Sequence, residues 1–285
     1  MGCSASLIGV DMANHLFKVY RDSVESITSN SHYMGNERSM IVTNCLFRVG
    51  GYTLLLSNKA KDTARAKMRL LQTVRTNMAA VDEAYGCVTV KADDEGLSGV
   101  CLSPSLLDVA GDAVKRNMVT LSPKVLPIME KLKYACNMIC IKALKMNLKP
   151  YIPIFRVAFQ HFCVHLVGRS VIEGIRKSLQ LTDYVLEPSR MALHRFGNTS
   201  VSGIWYEAAY MEAKRRFKVG DRIWQIALGS GFKCNSAVWE VMRETHPLEE
   251  TVWDDCIHSY TCDTRNKYPD DYGCIWIKKI FGIKA

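Results

Sequence analysis

Trp224-Gln-Ile-Ala-Leu-Gly-Ser-Gly-Phe-Lys-Cys-Asn-Ser236 is the stretch on which the fold turns. Together with Arg222 and Ile223, the run to Leu228 is apolar almost throughout, which predicts a central strand covered on both faces. It feeds straight into Gly229-Ser-Gly231, where residues lacking a β-carbon let the backbone pass close to a ligand or a nucleophile. A GxG pair alone does not establish a phosphate site.

Upstream, Phe159-Gln-His-Phe-Cys-Val-His165 alternates apolar and polar residues and precedes a helix predicted from Gly168 through Leu179. If that alternation is a strand, His161 and His165 share a face and are expected at its C-terminal end, where α/β proteins place their chemistry. Phe162 occupies the place where a zinc-protease HExxH motif requires Glu, so a metal site is not supported. A hydrogen-bonded core histidine is the alternative for each. Leu193-His-Arg-Phe-Gly-Asn-Thr-Ser200 reads as a polar loop ahead of a helix over 202–214. Asn198, just before that helix, is either a fixed amide donor to a developing oxyanion or a simple cap.

The 285 residues are 48% hydrophobic and 23% charged, a globular balance that excludes disorder and leaves room for one large domain or two ordinary ones. A net charge of +9 favours a polyanionic partner: nucleic acid, an acidic membrane surface or a phosphate-bearing small molecule. Eleven cysteines, an odd number without CxxC pairs, indicate a reduced compartment. The most apolar segment, Tyr134 to Leu144, is short of a membrane span. It is bracketed by Lys131, Lys133 and Lys145 and interrupted by Lys142, which predicts an amphipathic helix on a core or an interface.

Met1-Gly2-Cys3-Ser4-Ala5-Ser6 matches the pattern for N-myristoylation, with Cys3 placed for a second acyl chain. Helical spacing of the apolar residues from Leu7 to Tyr20 argues instead for a packed helix directly behind Cys3. A thiol at a helix N-terminus is expected to have a lowered pKa and to be a better nucleophile; a small buried cysteine is the alternative. Further along, the sequence predicts a helix from Ser39 that ends in a tight turn at Gly50-Gly51, a buried strand over 52–57, a basic loop over 59–69 and a strand over 70–75. A loop from Lys91, a helix over 103–117 and an extended connector over 149–154 follow. A boundary near residues 80–92 divides the chain into 1–85, 86–245 and a tail, 246–285.

Gly2-Cys3-Ser4-Ala5, His161 to His165, His194 to Ser200 and Trp224 to Ser236, in that order, closely resemble the plant 3-ketoacyl-CoA synthases, the condensing enzymes of very-long-chain fatty acid elongation. Lesser matches, among them Asn44 to Arg48, Lys149 to Pro153 and Trp253 to Ile257, extend the likeness to about residue 258. The resemblance implies an α/β, thiolase-like fold layered α-β-α-β-α. It makes Cys3 the acyl-accepting nucleophile, His165 its partner histidine and Asn198 the asparagine beside it, with His161, His194, Gly229 and Gly231 in support.

The implied reaction is a decarboxylative Claisen condensation of a long-chain acyl-CoA with malonyl-CoA, an acyltransferase chemistry that calls for no metal or redox cofactor. The resemblance also implies a homodimer or an elongase-complex partner, no nucleic acid, membrane association and a place on the cytosolic face of the endoplasmic reticulum. A catalytically silent paralogue or dimerisation partner is the alternative. Relatives carry two membrane segments and much of the first thiolase half ahead of the cysteine, so the chain is expected to be N-terminally truncated with its first half incomplete. Tyr20 to Met34 looks shortened, and Ser23 to Ser29 is a poor replacement for the strand relatives carry there. Asn77 stands where relatives commonly have His, and Leu166 and Val167 stand where they have small residues. Residues 261–285 are unmatched, with an amphipathic end from Ile275 to Ile283.

Overall fold

The structure is a computed structural model that describes residues 2–18, 23–29, 33–245 and 249–260. In chain order its elements are α1 (Ala5–Leu16), β1 (Ser23–Ser29), α2 (Arg38–Leu46), β2 (Gly50–Leu56), β3 (Met68–Asn77), α3 (Asp82–Gly86), β4 (Val88–Ala92) and β5 (Ser98–Leu102). There follow α4 (Leu106–Val125), α5 (Ile128–Lys142), β6 (His161–Val164), α6 (Arg169–Leu179), α7 (Asp183–Phe196), α8 (Gly203–Ala213), β7 (Arg222–Gly229) and β8 (Lys233–Val241).

Four strands form one mixed sheet in the order β3-β8-β7-β6, with β8 antiparallel to both neighbours and β6 parallel to β7. The apolar run lies in its interior, and every residue of β7 from Ile223 to Gly229 is buried. The two-residue period of the strands sorts their side chains into two layers. Ile223 and Ala227, with Cys163 and Trp239, meet Leu7 and Val10 of α1 and Ile204 and Ala208 of α8. Trp224, Ile226 and Leu228, with Phe162 and Val164, meet α4, α6 and α7 through Val114, Ile172 and Leu186. Each large side chain so buried contributes about 1.5–3 kcal/mol, and together they make an α/β/α sandwich.

Buried polar groups pin the layers. Trp224 Nε1–H donates to Ser236 Oγ at 2.9 Å, and the Ser236 hydroxyl donates to Asn117 Oδ1 on α4. Asn117 Nδ2 in turn donates to the carbonyls of Val74 and Cys234 at 3.3 and 2.9 Å. At the other face, Asp11 of α1 accepts from Thr73 Oγ1 at 2.5 Å and pairs with Arg75 at 3.3 Å, which fixes α1 on β3.

Several sequence expectations are corrected. Ser23–Ser29 is a strand, paired antiparallel with β2, because main-chain pairing overrides its weak propensity. The loop expected from Lys91 is a hairpin of β4 and β5, five residues each and too short and exposed to leave a clear alternation; Asp93 Oδ1 caps its turn by accepting from Glu95 and Leu97 N–H. The first half of the polar loop over 193–200 is the end of α7, which runs to Phe196. The basic loop over 59–69 contains a 3-10 helix, Ala60–Arg65, and the start of β3.

The sheet crosses the boundary drawn near residues 80–92, since β3 is hydrogen-bonded to β8 along its length. Residues 251–260 belong to the folded body rather than to a tail. Trp253 is fully buried, and its Nε1–H donates to Tyr206 O at 3.0 Å. The amphipathic end from Ile275 to Ile283 lies outside the described residues. Among those residues, only one sheet has more than two strands.

Candidate active site

Cys3 sits in a 3-10 turn, Gly2–Ser4, that runs into α1 and packs on β7 and on a second 3-10 turn, Ser200–Ser202. Gly2 has φ +58°, and a β-carbon there would stand 2.7 Å from Ser230 Oγ and 2.9 Å from Ser230 N, so the close approach requires glycine. The half-buried thiol of Cys3 accepts a hydrogen bond from Ser200 Oγ at 3.2 Å. Burial pushes its pKa above the ordinary thiol value, and the Ser200 bond offsets only part of that. The expected lowering by the helix N-terminus is thereby corrected: loss of water outweighs a partial charge at this depth.

Asn198 follows Gly197, whose φ of +68° ends α7 and whose missing β-carbon makes room for the Arg48 side chain. The Asn198 N–H donates to Leu46 O and its carbonyl accepts from Arg48 N–H, both at 2.9 Å, which seats the residue between α7 and the end of α2. Its Oδ1 accepts from Ser200 N–H at 2.9 Å. The cap and the donor readings are therefore compatible, because the cap occupies Oδ1 and fixes Nδ2 as the donor end of the amide. Ser200 holds φ +57°, a strained value for a residue with a β-carbon, costing about 1 kcal/mol or more.

His165 follows the last residue of β6, and its N–H donates to Ile226 O on β7 at 2.9 Å. It is 2% exposed, and its Nδ1 has no hydrogen-bond partner among the described residues. Burial lowers its pKa to about 4, so the ring is neutral near pH 7 and carries a single N–H. Leu166, directly after it, is fully buried and packs against Gly203.

The supporting histidines lie elsewhere. His161 opens β6 rather than closing it, at the opposite end of the strand from His165. There its Nε2 meets Asp221 Oδ2 at 2.8 Å and its ring meets the edge of Phe217. His194, on the exposed side of α7, meets the hydroxyl of Tyr260 at 3.1 Å. Neither touches Cys3: an i,i+4 pair shares a strand face but spans its whole length, and helix α7 turns His194 outward. Gly229 closes β7 opposite Lys233, and Gly231 turns the chain at φ +99°.

A cavity of about 630 Å³ opens beside the cysteine, within the size range of small-molecule sites. Gly2, Cys3, Ser200, Ser230 and Gly231 form one wall; residues of α2 and of the β4–β5 hairpin form another, and Lys91 and Lys233 bring positive charge. His165 and Asn198 are not among the lining residues. Among the described residues, no group of three His, Cys, Asp or Glu side chains is placed to hold a metal ion.

Two residues escaped the sequence reading. Ser200 lies only two positions beyond Asn198, yet its thiol contact spans 197 residues of chain. Glu207 is fully buried on α8, where it accepts from Val164 N–H at 2.8 Å and from the Ser189 hydroxyl. Burial raises its pKa well above the ordinary carboxylate value, and its bond to Val164 N–H holds the end of β6 one residue before His165. Its only sequence signal is an acid set among apolar helix residues.

The family model for FAE1/type III polyketide synthase-like proteins matches residues 1–143, and that for the C-terminal part of 3-oxoacyl-[acyl-carrier-protein] synthase III matches residues 158–241. The chain is 51% identical over 266 residues to 3-ketoacyl-CoA synthase 9 of Arabidopsis thaliana, covering 91% of this chain and 52% of that protein. It is 52% identical over 250 residues to probable 3-ketoacyl-CoA synthase 20 of Oryza sativa subsp. japonica, covering 85% and 48%. The chain thus spans about half the length of the curated relatives it matches. Among solved structures, the type III polyketide synthase domain of Steely1 from Dictyostelium aligns with TM-score 0.59 at 17% identity, covering 85% of this chain and 61% of that one. PKS-I of the brown alga Ectocarpus siliculosus aligns with TM-score 0.61 at 15% identity, covering 85% and 59%. These two likenesses establish the thiolase-like fold.

Proposed function

The chain belongs to the FAE1/type III polyketide synthase-like family, and from that premise we propose that it performs the acyl transfer of a 3-ketoacyl-CoA synthase, with Cys3 as the acyl carrier. Cys3 thiolate attacks a long-chain acyl-CoA, the C–S bond to CoA breaks, and CoA leaves as its thiol with the proton given up by Cys3. Malonyl-CoA then loses CO2, and its enolate attacks the acyl-Cys3 carbonyl. The thiolate returns to Cys3 and 3-ketoacyl-CoA departs.

The observation that carries this reading is the position of Cys3 on the wall of the 630 Å³ cavity, its sulfur held by Ser200. Asn198 adds an amide whose Oδ1 is already occupied, and His165 adds a neutral ring with one N–H, the donor types an enolate oxygen needs. Convergence of these two groups on the thioester at Cys3 is part of the proposal. So are a homodimer or elongase-complex setting and the cytosolic face of the endoplasmic reticulum.

A silent paralogue or dimerisation partner is the competing reading, favoured by the raised thiol pKa and by the absence of His165 and Asn198 from the cavity wall. Incubation with radiolabelled long-chain acyl-CoA, followed by peptide mass mapping, separates the two. An acyl adduct on Cys3 that is lost in Cys3→Ala supports the enzyme. No adduct on a folded chain supports the silent partner.

A further inference from the structure

Helix α5 turns its polar side inward and its apolar side out. Glu130 is its sole buried residue, and it accepts from Tyr151 OH at 2.7 Å and from Ile154 N–H at 3.0 Å. Two turns along the same face, Asn137 accepts from Tyr151 N–H at 2.7 Å and donates to Lys149 O at 3.2 Å. These bonds clamp the helix to the extended connector after it and fix which side meets solvent.

At 100° per residue the opposite side is a continuous stripe through Ile128, Leu132, Cys136 and Ile139, with Met129 at its edge. Ile128 is 66% exposed, Leu132 49% and Ile139 57%. Lys131 and Lys142 flank the stripe on one side and Lys133 on the other. Between residues 127 and 157 there are six bases and one acid, and that acid is the inward-facing Glu130.

An outward apolar stripe bordered by cations matches a surface that is apolar beneath and anionic above. Lysine stems lie along hydrocarbon while their ammonium groups reach phosphate, and anionic headgroups attract the basic excess. We propose that α5 docks in the interface of a membrane leaflet containing acidic phospholipids, with Leu132 and Ile139 at the acyl boundary and the helix axis in the plane of the leaflet. No helix among the described residues is long and apolar enough to cross a membrane, so this contact is peripheral. The inference rests on the burial and charge of α5 and stands apart from the condensation chemistry.

Flotation with vesicles of phosphatidylcholine, with and without phosphatidylserine, tests it on the full chain. The unaltered protein is expected to float with the phosphatidylserine vesicles and to be released by high salt. L132D/I139D, changed only at exposed positions, is expected to lose at least about tenfold in partitioning while keeping its circular dichroism and Cys3 acylation. K131Q/K142Q/K145Q is expected to lose the preference for phosphatidylserine.

Failure of the unaltered protein to float overturns the proposal. So does floating of L132D/I139D as well as the parent, which would place the lipid contact on another segment. A lipid-free dimer that L132D/I139D dissociates, without vesicle binding by the parent, overturns it in favour of a second copy of the chain on the stripe. Acylation of Cys3 is read separately, so failure of the membrane contact and failure of the acyltransferase reading are distinguishable.

Discussion

Ser200 Oγ donates to Cys3 Sγ at 3.2 Å, and the same residue's N–H donates to Asn198 Oδ1 at 2.9 Å. One serine therefore ties the thiol to the loop of the carboxamide. Its left-handed backbone, at φ +57°, is what lets its N–H and its hydroxyl serve both partners. A hydroxyl that donates to sulfur favours the thiolate, so it opposes the burial that raises the Cys3 pKa.

Removing that hydroxyl is expected to raise the Cys3 pKa further. Iodoacetamide modification followed by mass spectrometry against pH should give an inflection above the ordinary 9.0 for the parent. Ser200→Ala should move it higher still. An inflection that stays in place or moves down would remove Ser200 from any part in thiol activation.

The pH dependence of stability carries the signature of His165. Its folded pKa, about 4, lies below the ordinary 6.5, so the unfolded chain binds the extra proton first as pH falls. The stability linked to this ring is present above pH 6.5 and is lost on acidification through 4, amounting to about 3 kcal/mol at most by linkage. Urea melts between pH 4 and 8 should show this slope, and His165→Gln should flatten it.

Glu207 is expected to act as a neutral clasp. Glu207→Gln keeps an acceptor for Val164 N–H without a charge and should lower stability by less than about 1.5 kcal/mol. Glu207→Leu removes the acceptor that both groups share, leaves Val164 N–H only its long 3.4 Å bond to Ser189 Oγ, and should cost about 2–4 kcal/mol. Thermal melts of the two variants give the comparison, and equal losses would show that volume rather than hydrogen bonding matters here.

Asn117 is the polar centre of the larger layer. Asn117→Ala should cost about 2–4 kcal/mol, because it takes the acceptor from the buried Ser236 O–H, removes the side-chain bond to two strand carbonyls and opens a void under α4. Denaturant titration measures it. A loss under 1 kcal/mol, on the scale of one ordinary hydrogen bond, would mean that water enters and replaces the amide.

Much of the architecture was legible in the residues. The continuous apolar run at 222–228 marks β7, and helical periodicity marks α1, α6 and α8, because burial on one or both faces leaves a period in the sequence. Elements whose stability comes from pairing rather than from their own faces were not legible. β1 is short, β4 and β5 are short and half exposed, and hydrogen bonds to a neighbouring strand define all three. In the site, Cys3, His165 and Asn198 stood out through the resemblance, whereas Ser200 and Glu207 did not, since each acts on an element remote in the chain.

The amino-acid sequence alone determined the central buried strand and the helices with an apolar period, the glycines at positions where backbones must close up, and the family to which the cysteine, histidine and asparagine motifs belong. Only the tertiary structure decided which groups are dry and which strand end a side chain occupies. It parted His161 from His165, set Ser200 against Cys3, reversed the expected shift of the thiol and turned the apolar face of α5 to the outside. Periodicity is written locally along a chain, but desolvation and contact depend on what the rest of the molecule places around a group.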